Sequence, residues 1–156
     1  MSPYRRAIFA PDQFMPTTWD TARDKARFAD QFVRFVTRGF QKSDFPKWFY
    51  RQLSNTFGHI AHYNQHGFFS EFFENDKGKV EFVKQTLEWP CWGDPQFTYS
   101  DVECALKAWL RMSDIPQQVE HARRQALEKA ERAMLQHLKT KYEHHEEPAE
   151  ACATTT

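Results

Sequence analysis

The chain has 156 residues, enough for one domain with its own core, and its 25 aromatic residues, 15 of them Phe, exclude a disordered polymer. Its formal charge is zero, unlike the strongly basic balance of a typical DNA-binding domain, and it has no run of about 18 apolar residues to cross a membrane. Cys91, Cys104 and Cys152 are an odd set with no CxxC, so they read as reduced thiols of a cytoplasmic protein.

Taken in order, residues 1–18 carry Pro3, Pro11 and Pro16 and read as an irregular segment anchored by Phe9 and Phe14. Ala7–Ala10 is too short an apolar run for a signal peptide. A first helix is expected over about Trp19–Arg38, capped by Thr17 or Thr18, with Phe28, Phe32, Phe35 and Val36 inward and Gly39 as its stop. A second is expected from Ser43 or Asp44 to about Gln65, with Pro46 in its first turn and Gly67 ending it. Phe68–Phe73 reads as one or two helical turns, and Asn75–Gly78 as a turn.

A third clear helix is expected over Lys79–Glu88, followed by a stiff aromatic loop, Trp89–Pro95, extending to Tyr99. Ser100 and Glu103 have the spacing of a capping box that opens a helix to Met112. Ser113–Pro116 punctuates the chain, and a last helix runs to about Tyr142. It carries a Glu120, Arg124, Glu128, Arg132 ladder and a face of Val119, Ala122, Ala126, Ala130 and Ala133. These elements predict an all-α compact bundle of five to six helices with an aromatic-rich core and a long C-terminal helix. Within this single domain, 1–112 is the aromatic-rich body, 113–142 the long helix and 143–156 a flexible, disordered tail. Of the aromatics, only Tyr142 follows Trp109.

Charge is unevenly placed. Residues 1–60 hold ten Lys/Arg against five Asp/Glu, a local excess that suits an acidic partner. Arg23, Arg27, Arg34 and Arg38 share one face of the first helix, and Lys42, Lys47 and Arg51 follow. Such a row can contact phosphates without reading bases. Asp20 and Asp30 share the stripe, and Asp30 is spaced to pair with Arg27 and Arg34, as on an ordinary solvated face. The loop residues Trp89, Trp92 and Tyr99 are candidates for a recognition surface, or for a plug on the core.

His59, His62 and His66 also share a helical face and, with Cys91 or Cys104, could hold zinc or another transition metal; surface histidines are the simpler explanation. Asp94, Asp101 and Glu103 flank the cysteines, but no GxSxG, phosphate-cradling or dinucleotide motif is present. The favoured function is a non-enzymatic cytoplasmic adaptor, inhibitor or regulator with a protein partner, contacting nucleic acid or a nucleic-acid-processing complex through the Arg stripe and needing no cofactor. The alternatives are a metal protein or enzyme built on the histidines, and a homo-oligomer joined through the last helix.

Overall fold

The computed structural model describes the backbone of residues 8–57, 65–89 and 93–155, and their side chains except those of 65–66 and 144–155. Among these residues there are six α-helices and no strand: α1 Ala22–Thr37, α2 Lys47–Thr56, α3 Gln65–Phe73, α4 Asp76–Glu88, α5 Ser100–Met112 and α6 Ile115–Thr155. The expected all-α bundle with a long last helix is the architecture observed.

The N-terminal segment is held as its composition requires. Phe9 and Phe14 are both buried, flanking a short 3-10 turn at Pro11–Gln13, with ring centroids 6.0 Å apart. Thr17, expected to cap α1, instead organises the approach to it: its Oγ1 accepts the Trp19 and Asp20 amides. The helix starts later, at a reciprocal cap in which Thr21 Oγ1 accepts from the Asp24 amide and Asp24 Oδ2 accepts from the Thr21 amide. Trp19 is therefore outside the helix and 81% exposed.

α1 ends where Gly39 enters the left-handed region at φ 86° and Phe40 follows at φ 59°. The Phe40 amide donates to Phe35 O at 2.9 Å, which satisfies one of the last helical carbonyls. A left-handed Phe costs about 1–2 kcal/mol. That cost is offset because the turn drives the ring into the core, against Phe35 at 5.3 Å and Phe73 at 5.4 Å.

The segment expected as one second helix divides. Lys42–Asp44 forms a 3-10 turn, Pro46 is the N-cap of α2, and α2 ends at Thr56. Gly58, expected inside that helix, lies outside the described residues. Gly67, expected as a stop, sits inside α3. Asn75 is likewise not a plain turn residue: its Oδ1 caps α4 by accepting the Gly78 amide at 2.6 Å.

Gly78 also lets α4 approach α3. A Cβ there would stand 2.4 Å from Glu71 O and 2.9 Å from Phe72 Cα. Both neighbours are backbone, so relief requires the helices to separate. Gly78→Ala is expected to cost about 2–3 kcal/mol, the upper range for overpacking, despite alanine's better helix propensity. Urea denaturation of the two proteins checks this; equal or higher stability of the variant would show that the crossing is not tight.

The core is a continuous cluster of rings. Phe35 lies at its centre, against Phe45 at 5.2 Å, Phe49 at 5.6 Å and Phe73 at 4.7 Å, and Phe73 continues to Phe82 at 4.9 Å. Val102, Leu106 and Leu110 of α5 close one side, with Trp109 only partly buried. Ser100 is the first residue of α5 rather than its cap, and Tyr99 takes the cap position without a side-chain hydrogen bond. Ile115 and Val119 seat the first turns of α6, which lies mainly along α4.

Candidate binding surface

The physical basis of the basic surface is the amphipathicity of α1. Phe28, Phe32, Phe35 and Val36 are buried, which leaves Arg23, Arg27, Arg34 and Arg38 exposed on the opposite side. Lys42, Lys47 and Arg51 are exposed as well. Arg27 joins the two helices: its guanidinium carbon lies 4.1 Å from the Trp48 ring centroid, a cation–π contact from α1 to α2. Arg38 Nε lies 3.2 Å from the buried Asp44 Oδ2, while Gln31 Nε2 donates to Asp44 O. These contacts fasten the 3-10 turn to α1. Lys42 leans towards the Phe69 ring at 5.9 Å.

Arg23, Arg34, Lys47 and Arg51 form no ion pair among the described residues. The acids expected to neutralise the stripe have other work. Asp30 Oδ1 accepts the Ile8 and Phe9 amides and tethers the N-terminal segment to α1. Asp20 acts on the Tyr99 phenol through its negative charge. Burial, then the Asp20 and Asp24 carboxylates, raise the Tyr99 pKa well above the usual tyrosine value.

Tyr99 is turned onto the core rather than presented at the surface of the aromatic loop. It is 7% exposed, with its ring edge-on to Phe28 at 5.8 Å. Trp89 is half-exposed, and Trp92 lies outside the described residues. Phe97, which the spacing did not single out, is exposed in the same loop.

The loop is held by a feature that sequence reading missed. Lys25 has 0% exposure, and its ammonium donates to Pro95 O, Thr98 O and Asp101 Oδ1, each at 2.9 Å. Asp101 Oδ2 accepts the Met15 amide, so one buried charge ties α1, the loop, α5 and the N-terminal segment together. A signal was available: Lys25 stands on the same helical face as Phe28, Phe32 and Val36, where a solvated lysine does not belong. Lys107 repeats the arrangement in α5, with Glu103 Oε2 at 2.8 Å and a hydrogen bond to Trp89 O.

The acids near the cysteines are thereby committed. Asp94 organises its own turn, Asp101 holds Lys25, and Glu103 holds Lys107. Cys104 is disulfide-bonded, which corrects the expectation of three reduced thiols and removes a thiolate nucleophile at this position. Its partner cysteine lies outside the described side chains. Among the described residues no three His, Cys, Asp or Glu are grouped to hold a metal. His59 and His62 lie outside the described residues, as does the His66 side chain.

The ladder expected on α6 is altered. Glu120 accepts from Arg123 at 2.7 Å rather than from Arg124, and this hydrogen bond holds the Glu120 carboxyl below its usual range. Arg132 stands 4.0 Å from Glu128.

The described residues define an all-helical protein with a ring-packed core, a basic face on α1–α2 and a long terminal helix; no described helix is long and apolar enough to cross a membrane. Compared with protein-family models, curated proteins and solved structures, the chain matches none.

Proposed function

We propose that this chain is a small non-enzymatic binding protein, an adaptor or regulator, whose basic α1–α2 face contacts nucleic acid or a nucleic-acid-processing complex. The observation that carries the reading is the common exposure of seven basic side chains, from Arg23 to Arg51, on adjoining elements. The Arg27–Trp48 contact bridges the two helices, and a guanidinium already placed on an indole loses less entropy when it meets a phosphate. Arg23, Arg34, Lys47 and Arg51 supply charge that no described carboxylate cancels. Contacts of this kind position a phosphate backbone without selecting a base sequence.

Fluorescence anisotropy with labelled single-stranded and duplex oligonucleotides, repeated over a range of salt, tests the proposal. The wild type is expected to bind with an affinity that falls steeply with salt. Arg27→Glu together with Arg34→Glu should weaken binding to every sequence tested, and on duplex it should flatten the log–log salt slope by about 2, at roughly 0.9 per lost phosphate contact. Absence of binding at low salt, or unchanged binding by the double variant, would refute a phosphate-contacting role for this face.

A further inference from the structure

We infer that the nucleic acid met by the α1–α2 face is single-stranded, with one unpaired base stacked on the Arg27 guanidinium and another on Trp19. This rests on the reading of that face as a phosphate-contacting surface, and it names the form of nucleic acid the face takes.

Arg27 and Trp48 form a layered pair. Trp48, in the first turn of α2, is half-buried and packs against the ring core, where Phe49 meets it edge-on at 6.1 Å. Arg27 lies over the same indole, 4.1 Å from its centroid, and is itself exposed. The guanidinium is therefore the outer layer of the pair, and the core supports the inner one. No described carboxylate pairs with Arg27. A guanidinium is flat, delocalised and weakly hydrated, so it suits the face of a base as well as the oxygen of a phosphate. A lysine in its place would supply the charge without the plane.

Trp19 supplies a second platform. Trp19, Arg23 and Arg27 follow at four-residue intervals, and Trp19 precedes the Thr21 cap, so it stands at the Arg23 end of the row. At 81% exposure its ring contributes little to the core. Asp24 and Asp30 flank the row, but their carboxylates accept backbone amides, from Thr21 and from Ile8 and Phe9. Exposed rings among arginines that no described carboxylate neutralises are the elements of a single-strand surface. The charges track the backbone, and each base, whatever its identity, has a π-face to stack.

The width of the surface decides against a duplex. Packed helices lie about 8–10 Å apart and each is about 10–12 Å across, so α1 and α2 together span roughly 20 Å. A major groove is about 12 Å wide. The two helices joined by Arg27 and Trp48 do not fit into it. A duplex lying across them would offer phosphates alone, with its base faces hidden in the stack. A single strand offers both. The chain's formal charge of zero adds no long-range attraction of its own, so affinity must draw on contacts besides charge.

Fluorescence anisotropy with labelled DNA probes of one length tests this: a single strand, its duplex, and an abasic strand with the same phosphates but no bases. The single strand should bind about 10-fold or more tighter than the abasic strand, the order of effect of a stacked base, and tighter than the duplex. Arg27→Lys, which keeps the charge, should weaken single-strand binding by about 10-fold and leave abasic and duplex binding unchanged. Trp19→Ala should do the same. Unchanged abasic binding also shows that each variant is folded. An RNA strand of the same sequence, run beside the DNA, assigns the face to one nucleic acid if only one of them binds.

Three results would each overturn the inference and leave the basic-face reading standing: a single strand bound no tighter than the abasic strand, a duplex bound tighter than the single strand, or wild-type single-strand affinity in Arg27→Lys. Wild-type affinity in Trp19→Ala overturns the part given to Trp19. Absence of binding to every probe at low salt is instead the failure of the basic-face reading itself.

Discussion

Lys25→Met is expected to destabilise the protein by about 3–5 kcal/mol, the usual cost of removing one partner of a buried ion pair. Methionine retains the aliphatic stem, so the loss isolates the ammonium. Its removal leaves Asp101 without its cation and the Pro95 and Thr98 carbonyls without their donor. A native protein has only about 5–15 kcal/mol of stability in total, so the variant should unfold at much lower denaturant. Urea denaturation measures the change. Adding Asp101→Asn to Lys25→Met should cost less than the two single losses combined, because the residual charge disappears and the amide oxygen can still accept the Met15 amide. A single-variant loss below about 1 kcal/mol would mean that solvent reaches and compensates the site.

Phe35→Ala is the other change with a large expected effect, about 3–5 kcal/mol for truncating a fully buried ring. Phe35 is central: it meets rings from the α1–α2 connection, α2 and α3, at 5.3 Å for Phe40, 5.2 Å for Phe45, 5.6 Å for Phe49 and 4.7 Å for Phe73. The Phe73 contact is edge-on, a favourable aromatic geometry that alanine cannot replace. Phe35→Leu should fall between, at roughly 1–2 kcal/mol, because it keeps most of the volume but loses the ring geometry. Denaturation midpoints for the three proteins would order them. A Phe35→Ala loss below about 2 kcal/mol would show that the neighbouring rings collapse into the space.

Phe28, Phe32, Phe35 and Val36 were legible because helical periodicity alone places them on one side of α1. Gly39 was legible because a left-handed stop favours glycine. The Arg stripe followed from the same periodicity, read from the other side. Helix boundaries were less accessible. Thr17, Thr18 and Thr21 are all competent caps, and only the positions of Asp20 and Asp24 in space select Thr21. The division of the expected second helix depends on Pro46 acting as an N-cap, a role that proline shares with first-turn positions.

Function-bearing groups were legible as residue types and much less as environments. Tyr99 looked like part of an exposed loop, yet it is buried with its ring edge-on to Phe28. Asp30 looked like a helical ion-pair partner, yet it receives two amides from a segment more than twenty residues away. Cys104 read as a reduced thiol and is disulfide-bonded. The Tyr99 and Asp30 differences come from contacts distant in sequence, which local spacing does not encode.

By itself the sequence determined the helical class, the concentration of rings before α6, the inward face of α1 and the basic character of its outward face. All four follow from local periodicity and composition, since a helix repeats every 3.6 residues whatever it packs against. Only the tertiary structure decided that Lys25 and Lys107 are buried, that Arg27 rests on Trp48, that Gly78 is a close crossing and that Leu127 to Tyr142 stay in solvent. The reason is that burial belongs to pairs of surfaces. A lysine or a leucine presents the same periodicity whether its helix face meets another element or water, and the choice is made when the helices pack.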